Sequence, residues 1–250
     1  MSGHSKWASI KRKKAKTDVV RGRLFSRLTR EIIVAAREGG GDLDGNPRLR
    51  TAVENAKAGN LPNENIERAI KRGTGDLPGV SYEPATYEVY GPGGVAVLVE
   101  TLTDNKNRTV SEIRHILGKI GGSLAETGSV SWQFDAKGTF VVEVADADED
   151  ELMMTVLEAG AEDMETEGDA YFITCSVEAF GAVKEALQEA EIPFRDAQIS
   201  QVPKNYIQLD SSEQGKVLRL LEWIEEHDDV QNVYTNLDIV EDALETAGEA

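Results

Sequence analysis

Cysteine is almost absent from this chain: 250 residues hold one, Cys175. That excludes an intrachain disulfide and fits a reducing compartment. Cys175 ends the apolar run Tyr171-Phe172-Ile173-Thr174-Cys175, which reads as a core strand where a thiol is inert. Histidine is scarce too. His4, His115 and His227 lie far apart, with no partner at ligand spacing, so no metal site is expected. HExxH, GxSxG and CxxC are missing, and with them the usual hydrolase and redox arrangements. The chain therefore reads as non-enzymatic, with no catalytic residue, no cofactor and no small-molecule substrate. Long apolar runs are also lacking. Nothing approaches the roughly 20 consecutive apolar residues of a membrane helix, and no apolar stretch follows the basic start as in a signal peptide. A basic, acid-poor start can imitate a mitochondrial transit peptide. Here it belongs to a motif of its own, and the expected location is the cytoplasm, with no membrane partner.

What the chain has in abundance is charge, unevenly placed. The net charge is −18. Residues 1–75 nevertheless hold 17 of the 27 basic residues and 8 of the 45 acidic ones, a net of +9, which leaves −27 for 76–250. So large an asymmetry assigns different work to the two parts. The basic part can attract a polyanion that the acidic part would repel, so a single face should dock. Solubility or salt adaptation accounts for the acidic excess equally well, but not for the basic start.

At 250 residues two or three domains are the natural division. Residues 1–17 read as a basic arm. A helix follows over Asp18–Arg37, with Leu24, Phe25, Leu28, Ile32 and Ala35 on one face and Arg23, Arg27, Arg30 and Arg37 on an adjacent one. Asn46 and Pro47 open a second helix as N-cap and first residue. A third runs from near Pro62 to Gly73, and 74–84 is a linker. The period then changes to that of strands and helices in alternation: Thr86–Tyr90 and Val95–Thr101 around the turn Gly91-Pro92-Gly93-Gly94, a helix capped by Asn107 or Thr109, and a strand Val130–Phe134. A β-α-β-β-α-β run follows from Thr139 to Val202, the split βαβ pattern. Helix Ser212–His227 and strand Val230–Tyr234 lack partners of their own and complete the first α+β unit. The expected domains are thus a basic helical domain at 1–75, a discontinuous α+β domain at 76–136 and 204–240, an inserted domain at 137–203, and an acidic tail at 241–250.

Five features point to nucleic acid. The stretch Gly3-His4-Ser5-Lys6-Trp7, continued by Lys11, Arg12, Lys13 and Lys14, joins cations to one large aromatic. Trp7 can stack on a base, worth roughly 1–3 kcal/mol, or fold back onto the helical core. The arginine face, with Arg21 beside it, lacks acidic partners at i+4 apart from Glu31. Arg48 and Arg50 sit in the first turn of their helix, where cations oppose the dipole. Arg68, Lys71 and Arg72 end the third helix and complement its dipole. The loop Asn105-Lys106-Asn107-Arg108 offers amides and cations at a helix N-terminus, where phosphate is favoured; capping alone also explains it.

Several blocks resemble the YebC family: Gly3-His4-Ser5-Lys6-Trp7, Arg21-Gly22-Arg23-Leu24-Phe25, Asn46-Pro47-Arg48-Leu49-Arg50, 65–73, Tyr90-Gly91-Pro92-Gly93-Gly94, 103–109 and Glu126-Thr127-Gly128-Ser129-Val130. Leu43 departs from the commoner Pro, and the C-terminal part is unusually acidic. The resemblance implies an α+β multidomain fold, a helical N-terminal domain followed by two ferredoxin-like domains, one inserted in the other. It also implies one of two functions: DNA-binding regulation of transcription, or a translation factor on ribosomes stalled at sequences such as proline runs, related to a mitochondrial translational activator. The expected partner is nucleic acid, DNA or rRNA, with the ribosome in the second case. No recognition helix or heptad seam stands out. A basic arm and a polar loop on a separate domain suit an RNA surface read by shape and splayed nucleotides.

Overall fold

A computed structural model describes residues 18–239. The arm, with His4, Ser5, Lys6, Trp7, Lys11, Arg12, Lys13 and Lys14, lies outside the described residues, as does the acidic tail. Helix α1 (Asp18–Gly39) buries Leu28, Ile32, Ile33, Ala35 and Ala36, while Leu24, on the expected stripe, faces outward. Asn46 caps α2 (Pro47–Ala58) by accepting from Leu49 N at 3.0 Å. Its amide also donates to the Ala35 and Gly40 carbonyls at 2.9 and 2.8 Å, so the cap ties α2 to the end of α1. In α3 (Asn63–Thr74), Ile66, Ala69 and Gly73 turn inward. At Gly73 the two helices nearly touch. A Cβ there would lie 2.6 Å from both Ala36 Cβ and the Ile33 carbonyl oxygen.

After the linker, β1 (Glu83–Tyr90) and β2 (Ala96–Thr103) pair antiparallel around a short 3-10 turn at Pro92–Gly94. Strand β2 is buried along nearly its whole length, as befits an inner strand. Helix α4 (Lys106–Ile120) and the two-residue β3 (Ser123–Leu124) follow. The cap of α4 is Asn105, not Asn107 or Thr109. The block Glu126–Val130 is a loop fastened by the buried Glu88 carboxylate, which accepts from Gly128 N at 2.6 Å and from Val130 N.

The expected strand Val130–Phe134 is not formed. Ser131–Gln133 is a 3-10 turn, and one ten-residue strand, β4 (Phe134–Glu143), runs through the stretch read as a break. Gly138 lies in the stretch between the two expected strands. It sits inside the strand because a Cβ would lie 2.6 Å from Cys175 Sγ and 2.7 Å from Phe180 Cδ2. The chain continues through α5 (Glu149–Glu158), β5 (Ala161–Glu167), β6 (Ala170–Cys175), α6 (Phe180–Glu189) and β7 (Arg195–Pro203). These strands form an antiparallel sheet in the order β5-β6-β4-β7, a ferredoxin-like arrangement. Its core holds Phe140, Leu152, Ile173 and Leu187, with Phe180 stacked on Phe140 at 4.9 Å.

Only then does the chain return through α7 (Ser211–Glu225) to β8 (Val230–Thr235), which pairs with β2 and gives the first sheet the order β3-β1-β2-β8. Helix α7 packs on α4, burying Leu117, Leu221 and Ile224. The second α+β fold is therefore inserted in the first. The described chain forms two compact units. One contains 18–130 and Leu209–Thr235, helical segment included; the other contains Ser131–Gln208 and Asn236–Ile239. No helix among the described residues is long and apolar enough to cross a membrane.

Candidate nucleic-acid interface

The arginine face of α1 has partners that local sequence could not reveal. Arg23 meets Glu226 at 3.2 Å, and Arg27 donates to the Glu225 carbonyl. Burial pushes the Arg27 guanidinium down from its usual range. Arg30 donates to the Asp228 carbonyl, reaches Asp229 at 3.3 Å and lies 5.2 Å from the Tyr82 ring centroid. Arg37 donates to Ser81 Oγ at 2.6 Å and to the Tyr82 carbonyl at 3.0 Å. The face expected to lack acidic partners instead fastens α1 to the end of α7 and to residues 80–82. Its acids lie about 200 positions along the chain, out of reach of any i+4 argument. Arg21, at the exposed start of the helix, makes no such contact among the described residues.

The polar loop before α4 converges on the same place. Asp229, 2% exposed, accepts from Thr109 Oγ1 at 2.8 Å, Thr103 Oγ1 at 3.1 Å and Arg108 at 2.7 Å. Burial pushes its carboxyl up, but these hydrogen bonds outweigh burial and hold it below the usual carboxylate range. The same bond raises the Arg108 guanidinium. Arg108 also reaches Asp104 at 2.8 Å. Asn105 is occupied as the cap, accepting from Arg108 N at 3.1 Å. Lys106 pairs with Glu83 at 3.0 Å, both exposed, a contact that an approaching phosphate could displace at little cost. Asn107 is exposed and makes no hydrogen bond among the described residues.

Helices α2 and α3 divide in the same way. Arg48 pairs with Glu38, while Arg50 donates to the Leu43 and Asp44 carbonyls at 3.1 and 3.0 Å and so braces the preceding loop. Both have internal partners, the Arg48 pair on the surface and the Arg50 contacts to loop carbonyls. Arg68 pairs with Glu64 one turn back. Lys71 and Arg72 are exposed and have no hydrogen bond or ion pair among the described residues. Between α1 and α3 lie two adjoining depressions of about 240 and 230 Å³. Thr29, Asn65 and Arg72 line both. Phe25, Leu61 and Tyr82 add an apolar wall to the first, and Arg68 borders the second. The sequence reading missed Phe25, Asn65 and Tyr82. Phe25 and Asn65 lie within blocks that carry the family resemblance, and Tyr82 is an aromatic at the end of a Gly/Pro-rich linker.

Among the described residues no cluster of His, Cys, Asp or Glu could hold a metal ion. Burial pushes the Cys175 thiol up, which makes it less nucleophilic. His227 is taken up by Glu112 at 2.6 Å.

A cationic three-helix segment joined to two α+β sheets, one inserted in the other, defines a multidomain α+β protein. The sequence pattern of the TACO1/YebC N-terminal domain matches residues 5–76, and that of the family's second and third domains matches residues 82–237. The chain belongs to the YebC family. A relative from Desulfatibacillum aliphaticivorans is 54% identical over 244 residues, 98% of this chain and 99% of that one, and one from Chlorobaculum parvum is 51% identical over 245 residues, 98% of each. Both bear the name "Probable transcriptional regulatory protein". The crystal structure of a conserved hypothetical protein from Aquifex aeolicus is similar at a TM-score of 0.86 and 48% identity, covering 94% of this chain and 98% of that one.

Proposed function

We propose that this protein is a non-enzymatic, cytoplasmic, nucleic-acid-binding regulator of gene expression and, in line with the name its relatives carry, a DNA-binding regulator of transcription. The observation that carries this reading is the segregation of charge. Six cations and no acid lie in residues 1–17, against −27 in 76–250. On the described helical segment, Arg21, Lys71 and Arg72 are exposed without internal partners. Arg23, Arg27, Arg30, Arg37 and Arg50 are held by the protein itself and drop out of the proposed contact surface. Binding should thus run from the arm across Arg21 to the end of α3, with Lys106 and Asn107 as a second contact.

A second reading, a ribosome- or rRNA-binding translation factor that relieves stalling, is favoured by α3. This helix carries Glu64 and Glu67 among its cations, a poor surface for a major groove lined by phosphates, and it borders a cleft of base-like size. Crosslinking in cells followed by sequencing of both DNA and RNA tests the two. Enrichment at discrete promoter DNA supports transcription. Enrichment on rRNA, with co-sedimentation on ribosomes and no specific DNA shift at the same salt, moves the assignment to translation. Neither result would leave a nucleic-acid regulator standing if crosslinks to both were absent.

A further inference from the structure

We propose that the cleft between α1 and α3 seats one unstacked nucleotide of a single-stranded nucleic acid, its base against Tyr82 and Phe25 and its phosphate on Arg72. This rests on the reading of the protein as a nucleic-acid binder and names what that surface takes. Three observations converge. The first is size: about 240 Å³ falls below the roughly 300–1,000 Å³ of sites that enclose a drug-sized molecule, yet it gives room for a planar ring system. The second is the wall. Tyr82 is fixed before any ligand arrives, its carbonyl accepting from Arg37 at 3.0 Å and its ring 5.2 Å from the Arg30 guanidinium. Aromatic rings and guanidinium planes are the surfaces on which splayed bases stack. Leu61, 3% exposed, closes the floor. The third is the rim. Among the described residues Arg72 has no hydrogen bond or ion pair, and Arg68 pairs with an exposed Glu64 one turn away. Asn65, exposed on α3 and lining both depressions, presents an amide that can donate to and accept from a base edge.

A bare anion would not need the apolar wall. A duplex keeps its bases stacked and could offer the cleft only backbone. A nucleotide taken out of the stack satisfies wall and rim together.

The test uses the full-length protein and three probes of one sequence: a 12-nucleotide RNA strand, the same strand as DNA, and a DNA duplex. One central adenine is replaced by 2-aminopurine, whose fluorescence reports its stacking. Affinity is read by anisotropy at fixed salt. Tyr82→Leu, which keeps apolar mass, should weaken single-strand binding roughly 5- to 100-fold, as loss of one base stack does, and abolish the 2-aminopurine change, with duplex binding altered less than about twofold. Arg72→Gln, at an exposed position, should weaken single strands without affecting the fold and guards against misfolding of the Tyr82 variant. Losses on RNA alone or on both strands support the seat and tell which sugar it accepts. Wild-type binding to single strands that neither variant disturbs, or equal losses on single strand and duplex for Tyr82→Leu, overturns the seat and leaves the nucleic-acid reading intact. No binding by the wild type to any probe overturns both.

Discussion

Asp229 draws together side chains from three elements. Arg30 from the first helix, Arg108 and Thr109 from α4 and Thr103 from β2 all meet its carboxylate. Asp229→Ala should destabilise the protein by at least about 2 kcal/mol, since hydrogen bonds to a buried charge are worth roughly 1.5–3 kcal/mol each. Arg108→Ala should cost less, because that guanidinium is 42% exposed and water can replace part of what it loses. The pH dependence follows from the depressed carboxyl. Its contribution is fully present above the unfolded value of about 3.9 and fades as pH falls through the lower folded value. Urea melts of wild type and Asp229→Ala should therefore differ at pH 7 and converge below about pH 4. A gap that stays constant to pH 3 would show that the carboxylate charge is not what stabilises. The sequence displayed the four polar groups that bind Asp229 but could not display the binding. The arginines of α1 looked available for phosphate because their acids enter only when the last helix and strand return.

At the scale of elements, the helices were legible because cap, stripe and stop agree, as with Asn46, Leu49 and Gly59 around α2. Strands were harder wherever a glycine serves packing instead of turning. Gly138 lies inside one long strand expected to break between Phe134 and Thr139, and the two-residue β3 is too short to leave a pattern. Gly73 shows the same use of a missing Cβ between helices. Alanine favours a helix over glycine by roughly 1 kcal/mol, so a local argument would make Gly73→Ala stabilising. The contacts at 2.6 Å with Ala36 and the Ile33 backbone reverse the sign. We expect a net loss of about 1–3 kcal/mol, read by thermal or urea unfolding, and a shift of α3 away from α1 that should also widen the cleft. An unchanged or raised melting temperature would mean that the two helices separate without cost.

For the whole molecule, composition shows the segregation of charge, but not which cations the fold engages internally. If the arm and the α3 edge neutralise about 5–8 phosphates, log K against log salt should fall with a slope of roughly −4 to −7. Removal of residues 1–17 should flatten that slope by several units. A truncated chain with the full slope would place the contacts elsewhere. The inserted sheet makes a separate prediction. It has its own core around Phe140, so a fragment of residues 131–208 should melt in one cooperative transition; a broad, gradual change of signal would deny it independent stability. The way that segment leaves and rejoins its host has a further meaning. Its first and last strands are direct neighbours, with Phe134 opposite Pro203, so the entry and exit points stand about 5 Å apart. A gap that narrow can be bridged by a tight turn. A short bridge there would let the chain pass straight on toward α7 and leave the strand order of the interrupted sheet, β3-β1-β2-β8, unchanged.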